Sequence, residues 1–575
     1  MLKIYRNLKE HAIGVAVVII LVFGQVMADL YLPTIMSNVV NNGIMKEDIT
    51  YIWREGGFML FITALGVICA VLASFIGSRI SMSLGTTLRN KVFTKVESFS
   101  LHEFDKFGAS TLITRTTNDI IQIQNVTLLI IFMLMRAPLM CIGGIIQAYS
   151  KDRTLTLVLL AALPIVALLI FFITKFVVPI FRSIQKKIDK LNLIMRENLT
   201  GIRVIRAFNR DDHQKDRFET ANTDLTRSYI RVNRIMAFLM PFIMFIMNLM
   251  NAALLWFGTV RVDSNELNIG NLFAFTQYAM QIMFSLLLVA MMFVMIPRAQ
   301  AAADRINEVL ETEPEIVDIN DPIKSVSQKG LVEFKNVTFR YHGAEQPALK
   351  NISFTAKPGE TVAIIGGTGS GKTTLVNLIP RFYDIESGEV MVDGVSVSKM
   401  TQHDLREKIG FVPQKALLFT GTITENLKYG DDDASIEQVQ HAAEIAQASD
   451  FIEKMEDKYD TVLYEGGLNL SGGQKQRLSI ARALTRKSEI YVFDDSFSAL
   501  DFKTDAKLRA ALKNETREAT VIIVAQRVGS VMDADRIIVL DDGEVAGTGT
   551  HRELLNTCEV YREIVSSQLS EEEMA

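Results

Sequence analysis

Cysteine is scarce and scattered. The 575 residues include three, Cys69, Cys141 and Cys558, at separations that suit neither a disulfide framework nor a metal cluster. Two lie in apolar stretches and read as small buried hydrophobes, so nothing demands an oxidising compartment. A basic excess is also missing. Sixty Lys and Arg stand against 65 Asp and Glu, a net charge of −5, which argues against nucleic acid as a partner. Proline is absent from residues 78–124 and 182–233, so neither stretch carries a strong helix breaker. Apolar residues, by contrast, make up 49% of the chain, high for a soluble protein.

These apolar residues are unevenly placed. From residue 1 to 300 long apolar runs alternate with charged stretches. Residues 301–329 read as a linker, and 330–575 read as an α/β domain of short β-branched runs, helices and glycine-rich turns. A bilayer core of about 30 Å needs roughly 20 apolar helical residues. Six segments qualify: 13–36, 58–76, 126–148, 155–177, 235–260 and 272–296. The first is too long for a signal-peptide core, lacks a clear cleavage site and is followed by further spans, so it is expected to be retained.

Basic residues set the orientation. They crowd the N-terminus (Lys3, Arg6, Lys9) and the loops after spans two and four, which include Arg79, Lys91, Arg182, Lys186 and Arg203. The N-terminus, both long loops and the α/β domain are therefore expected in the cytoplasm. Both loops carry apolar residues at helical spacing and should prolong the spans. Each has a charged, aromatic break, at 100–107 and at 207–218, where a short helix could rest on another domain or simply turn in solvent.

Asp29, Arg136, Asn248, Asn251, Gln277 and Gln281 fall within spans, where polar groups are costly and tend to face a cavity or a partner. Met240, Met244, Met247, Met250, Met280, Met283, Met291, Met292 and Met295 enrich spans five and six. Their polarizable thioethers suit a surface for varied apolar ligands, though most methionines in such positions are simply packing or lipid-facing.

The strand-like run 361–365 leads into Gly366-Gly367-Thr368-Gly369-Ser370-Gly371-Lys372-Thr373 and then a helical stretch from Thr374. This is a phosphate loop in its required strand-loop-helix context. Gly366, Thr368, Gly369, Ser370, Gly371 and Thr374 belong to a loop whose N–H groups can surround phosphate oxygens. Lys372 is expected to reach the β- and γ-phosphates of ATP, and Thr373 to ligate Mg²⁺. A second buried run, 490–493, ends in Asp494, a carboxylate placed to hold the same Mg²⁺.

Between these runs stands Leu470-Ser471-Gly472-Gly473-Gln474. It resembles the signature of the ATP-binding cassette (ABC) superfamily. With Ser498-Ala499-Leu500-Asp501 downstream, the match spans the whole α/β domain, and the six-span half resembles the type IV fold of ABC exporters. The expected fold is thus a six-span α-helical membrane domain fused to an α/β P-loop nucleotide-binding domain.

The resemblance implies further roles. Tyr341 would stack on adenine. Gln414 would contact Mg²⁺ and sense the membrane domain. Glu465 would lie in the loop touching the coupling helices, and Asp501 would communicate across a dimer. Ser471, Gly473 and Gln474 would bind ATP held by the partner's phosphate loop, which makes a dimer obligatory.

Two positions depart from the family. The glutamate that polarises the attacking water is Asp495, and the switch histidine is Gln526. The pattern resembles the degenerate-site subunit of bacterial heterodimeric multidrug exporters. It implies a second half-transporter bearing the intact Glu and His, lipid surroundings in the cytoplasmic membrane, and a small hydrophobic substrate. A homodimer with two slow sites, lipid or peptide export, and a non-transporting ATP-binding regulatory subunit are the alternatives. Fusion of the membrane and ATPase parts argues against an importer.

Overall fold

The apolar segments form helices that outrun the bilayer. The protein, seen here as a computed structural model, is described over residues 1–323 and 329–568. Side chains of Met240, Met291, Met292 and Glu465 lie outside the described residues. Ile49–Glu97, Arg153–Thr200 and Asp211–Asp263 are single helices of 49, 48 and 53 residues. At about 1.5 Å per residue each is roughly 70–80 Å long, more than twice a hydrocarbon core. The proline-free loops do prolong the spans.

Five helices among the described residues are long and apolar enough to cross a bilayer: Lys3–Ile44, Ile49–Glu97, Ala109–Lys151, Pro241–Asp263 and Ile269–Val289. The span expected at 155–177 opens as a shorter apolar helix over Arg153–Ile165 and continues through residues whose side chains are partly outside the described set. Ile269–Glu311 is one helix, so residues 301–311, assigned above to the linker, continue the last span.

The chain divides into two compact units: Met1–Glu97 with Ser110–Thr312, and Ser98–Ala109 with the chain from Glu313 onward. In the first, Val18, Val22, Val26 and Leu30 recur at helical spacing and pack with Phe275, Tyr278, Ile282 and Met283. The Tyr278 hydroxyl, buried in this apolar seam, donates to the Leu30 carbonyl at 2.9 Å and lies 2.7 Å from the Thr34 hydroxyl, as a buried phenol must. Met250 and Met283 are core residues of this cluster, whereas Met244 and Met280 are exposed.

Farther along, Asp119 is buried and accepts from Nε of Arg305 at 2.8 Å and from its Nη2. Arg115 donates to Glu308 at 2.8 Å. These charge-assisted bonds tie Asn118–Leu129 and its neighbour to the last helix. Such bonds contribute about 1.5–3 kcal/mol when they involve charged groups. Asp119→Ala is therefore expected to lower the thermal midpoint of the solubilised protein, and an unchanged midpoint would contradict this role.

In the second unit, a six-stranded sheet runs in the order Glu544–Gly549, Arg536–Asp541, Thr361–Gly366, Thr520–Val524, Ile490–Asp494, Ile409–Val412, parallel except at the Glu544 edge. Both faces are covered. Val362 and Ile364 enter one core while Ala363 and Ile365 enter the other, which is why this strand reads as a continuous apolar run. A four-stranded antiparallel sheet, containing Val332–Phe339 and Leu349–Ala356, packs on one side. Its last two strands meet at Asp393-Gly394, both with positive φ (54° and 75°), the two-residue turn that Asp-Gly favours.

The break at 100–107 is a seven-residue helix, Leu101–Phe107, closed by a capping box in which the Ser100 N–H donates to Glu103 at 2.8 Å. It belongs to the same unit as the α/β domain: Glu103 accepts from the Glu315 N–H at 3.2 Å, and the His102 and His342 rings lie 4.6 Å apart. The second break is narrower than 207–218. The helix Ile202–Ala207 ends, residues 208–210 turn with Asn209 at φ 51°, and Asp211–Asp263 begins.

Candidate active site

The C-terminal ends of the parallel strands converge, which is where α/β sheets place ligands. Thr361–Gly366 delivers the phosphate loop, Ile490–Asp494 delivers Asp494 and Asp495, Thr520–Val524 leads to Gln526, and Ile409–Val412 leads to Gln414.

Glycine is required in the loop for two reasons. A Cβ at Gly366 would fall 2.2 Å from the Leu540 carbonyl oxygen, and Gly371 has φ +95° with Leu349 only 2.8 Å from where its Cβ would sit. The Lys372 ammonium folds back to donate to the carbonyls of Gly366 at 2.9 Å and Gly367 at 2.6 Å. Burial pulls its pKa down, opposed by the carboxylates of Asp495 and Asp494.

Thr373 donates to Asp494 at 3.0 Å. Hydroxyl and carboxylate thus already stand together where a hard divalent cation would take both as oxygen ligands. Burial raises the Asp494 pKa, with the Thr373 bond opposing and Asp495 adding to the rise. A cation would favour the charged form instead. The donor set fits Mg²⁺.

Asp495 is buried and adopts a left-handed conformation, φ 47°. Its Oδ2 accepts from Gln526 Nε2 at 3.0 Å and from Gln414 Nε2 at 3.4 Å. Burial raises its pKa, and the Gln414 bond and then the Lys372 charge oppose the rise. Sequence reasoning named all three residues but not this arrangement: the Asp495 carboxylate is held by two amides.

Tyr341 lies at the rim. Its hydroxyl is 2.9 Å from that of Thr374, and its ring meets Tyr383 edge-on at 5.4 Å. The aromatic group is partly exposed and braced, as a stacking platform for a base requires.

The signature stands apart. Ser471 caps the 14-residue helix Gly472–Thr485 through a capping box with Gln474. Among the described residues neither side chain bonds any member of the cluster above. Ser471 is exposed, and the first turn of the helix carries no acidic side chain. Its free N–H groups and dipole therefore suit an anion delivered from outside the subunit. Asp501 caps the next helix, Phe502–Glu515, accepting from the Thr504 N–H at 3.0 Å, and the Thr504 bond lowers its pKa.

Residues 15–286 match the ABC transporter transmembrane region family, and residues 349–498 match the ABC transporter family. An uncharacterised ABC transporter ATP-binding protein of Mycobacterium tuberculosis is 42% identical over 98% of this chain and 97% of its own length.

The chain belongs to the ABC transporter family, as an exporter half-transporter.

This exporter half is also similar to the uncharacterised ABC transporter ATP-binding protein YfiB of Bacillus subtilis, 40% identical over 100% of this chain and 99% of that one. The ATP-dependent lipid A-core flippase of Syntrophus aciditrophicus is 32% identical over 88% and 83% of the two chains. A bacterial Atm1-family ABC exporter, solved with ATP bound, superimposes with a TM-score of 0.82 at 25% identity, covering 98% of this chain and 100% of that one. The exporter half thus couples ATP hydrolysis to transport across a membrane.

Sequence reasoning missed Gln568. It bonds both sides of Arg527, next to Gln526: its Oε1 accepts from the Val528 N–H and its Nε2 donates to the Gln526 carbonyl, each at 2.8 Å. Its distance from every motif left no sequence signal.

Proposed function

We propose that this ABC half-transporter is the subunit of a heterodimeric exporter that binds ATP firmly at its own phosphate loop but hydrolyses it slowly there. The observation that carries this reading is the pair Asp495 and Gln526. The shorter carboxylate and the neutral amide are hydrogen-bonded to each other, where a base for water and a cationic partner for the γ-phosphate are needed. The groups that would hold ATP and Mg²⁺, namely Lys372, Thr373, Thr374, Asp494, Gln414 and Tyr341, keep chemistry suited to binding. Ser471, Gly473 and Gln474 would complete a competent site on a partner that supplies its own Glu and His, with Asp501 near that interface.

The cargo proposed is hydrophobic or amphipathic, moved across a bacterial cytoplasmic membrane with the N-terminus and ATP-binding domain inside. Exposed Met244 and Met280 support a tolerant apolar surface. In the same unit, Arg136 donates to Asp29 at 3.2 Å and Gln281 donates to the Asp29 carbonyl at 3.2 Å, a polar centre that an amphipathic molecule could use. The flippase name of one relative supports lipid-like cargo. At the second cytoplasmic turn, Phe208 is 75% and Leu199 is 71% exposed, an apolar surface suited to the partner's ATP-binding domain.

The test is ATPase activity of the purified chain alone and with the half-transporter that accompanies it. Low turnover alone, with substantial turnover on mixing, is expected. Equal and rapid turnover by a self-dimer would refute the proposal.

A further inference from the structure

The helix Glu559–Ser566 turns Tyr561 and Val565 into the core that also contains Val528 and Val531. The Tyr561 hydroxyl also lies 2.7 Å from His551 Nδ1, so the helix is anchored without Gln568. Gln568, exposed and two residues beyond the helix, adds something different. Its amide accepts from the Val528 N–H and donates to the Gln526 carbonyl, each at 2.8 Å. One side chain thus engages the two backbone groups that face the same way across Arg527, as a neighbouring strand would.

The loop gripped in this way carries the switch residue. Gln526 Nε2 reaches Asp495 Oδ2 at 3.0 Å, so a continuous hydrogen-bonded path runs from the C-terminal segment through the switch loop to the carboxylate of the active site. Val528 is fully buried, so only the outer edge of this loop is available for such a grip.

We infer that Gln568 is a positioning residue: the docked C-terminal segment fixes the backbone on both sides of Arg527, immediately after the switch position, and its release frees the switch from the active-site carboxylate. This holds whether or not the site is slow, because it concerns where residue 526 sits rather than what it is.

The experiment uses the full-length protein in its assembled dimer. Gln568→Ala removes both bonds. Gln568→Glu keeps the acceptor for Val528 but sets a carboxylate against the Gln526 carbonyl, and should behave like the alanine variant on the Gln526 side. In Gln568→Ala, amide exchange of the Val528 region, followed by mass spectrometry, is expected to quicken about tenfold, the equivalent of one lost hydrogen bond, with exchange elsewhere in the ATP-binding domain unchanged. In the Asp495→Glu/Gln526→His background, Gln568→Ala is expected to lower kcat while leaving KM for ATP in place. Unchanged exchange around Val528 would overturn the inference. So would faster exchange spread over the whole domain, which would mark a merely structural role. A background that fails to gain turnover counts against the weak-site reading alone, because the exchange measurement still decides the role of Gln568.

Discussion

Asp495→Glu combined with Gln526→His is expected to raise ATP turnover of the assembled dimer by restoring hydrolysis at this chain's site. Asp is one methylene shorter than Glu, so on the proposed reading its carboxylate would fall short of the attacking water by roughly 1 Å, and errors of that size cost on the order of 100-fold, about 2.7 kcal/mol of barrier. On the same reading, the surroundings of Asp495 would add a second handicap. Both Gln526 and Gln414 direct amide N–H groups at the same carboxylate oxygen. Burial also raises the Asp495 pKa, opposed by the Gln414 bond and then the Lys372 charge. Histidine at 526 would supply a group able to carry positive charge beside the developing charge on phosphate.

Because the two side chains touch, the double substitution should exceed the sum of the single ones. Steady-state ATPase of the four combinations, with folding checked by thermal midpoint, is the measurement. Flat turnover in a folded double variant would show that the site is not slow for these reasons.

The second large effect is an asymmetry between two lesions on the same chain. Ser471→Ala or Gly473→Asp is expected to silence most of the dimer's hydrolysis, by about 100-fold or more, the usual cost of losing a donor to transition-state charge. Gly473→Asp sets a carboxylate at the N-terminus of a helix that carries no acidic side chain in its first turn, and its Cβ would lie 3.2 Å from the Ala499 carbonyl. Ser471→Ala also removes an N-cap, costing about 1 kcal/mol of helix stability, and Gly473→Asp crowds a backbone carbonyl, so the thermal midpoint of each variant is measured to separate folding from chemistry.

Lys372→Ala, by contrast, is expected to weaken the ATP held by this chain while most turnover survives at the partner's site. Nucleotide retention and ATPase rate measured on the same preparations decide between these outcomes. Equal loss of turnover from both lesions would contradict the division of labour.

What could be read directly were features written in contiguous residues. Apolar runs of span length, the phosphate loop and the signature are local patterns, and the folded chain places them where their periodicity requires. The identities of Asp495 and Gln526 were equally plain. The limits of the short breaks were not, because a cap such as Ser100 with Glu103 fixes one helix end while tertiary packing decides the next.

By itself, the sequence determined the membrane-plus-cassette plan and marked the candidate nucleotide-holding residues and the Asp495 and Gln526 pair on which the proposal rests, because each follows from residue type at short spacing. Tertiary structure alone decided which of them meet. Asp495 touches Gln526 and Gln414, respectively 31 and 81 residues away, Gln568 grips a loop 42 residues before it, and Arg305 finds Asp119 across 186 residues. These contacts are set by strand order and helix packing, which bring distant chain segments side by side, and no local periodicity encodes them.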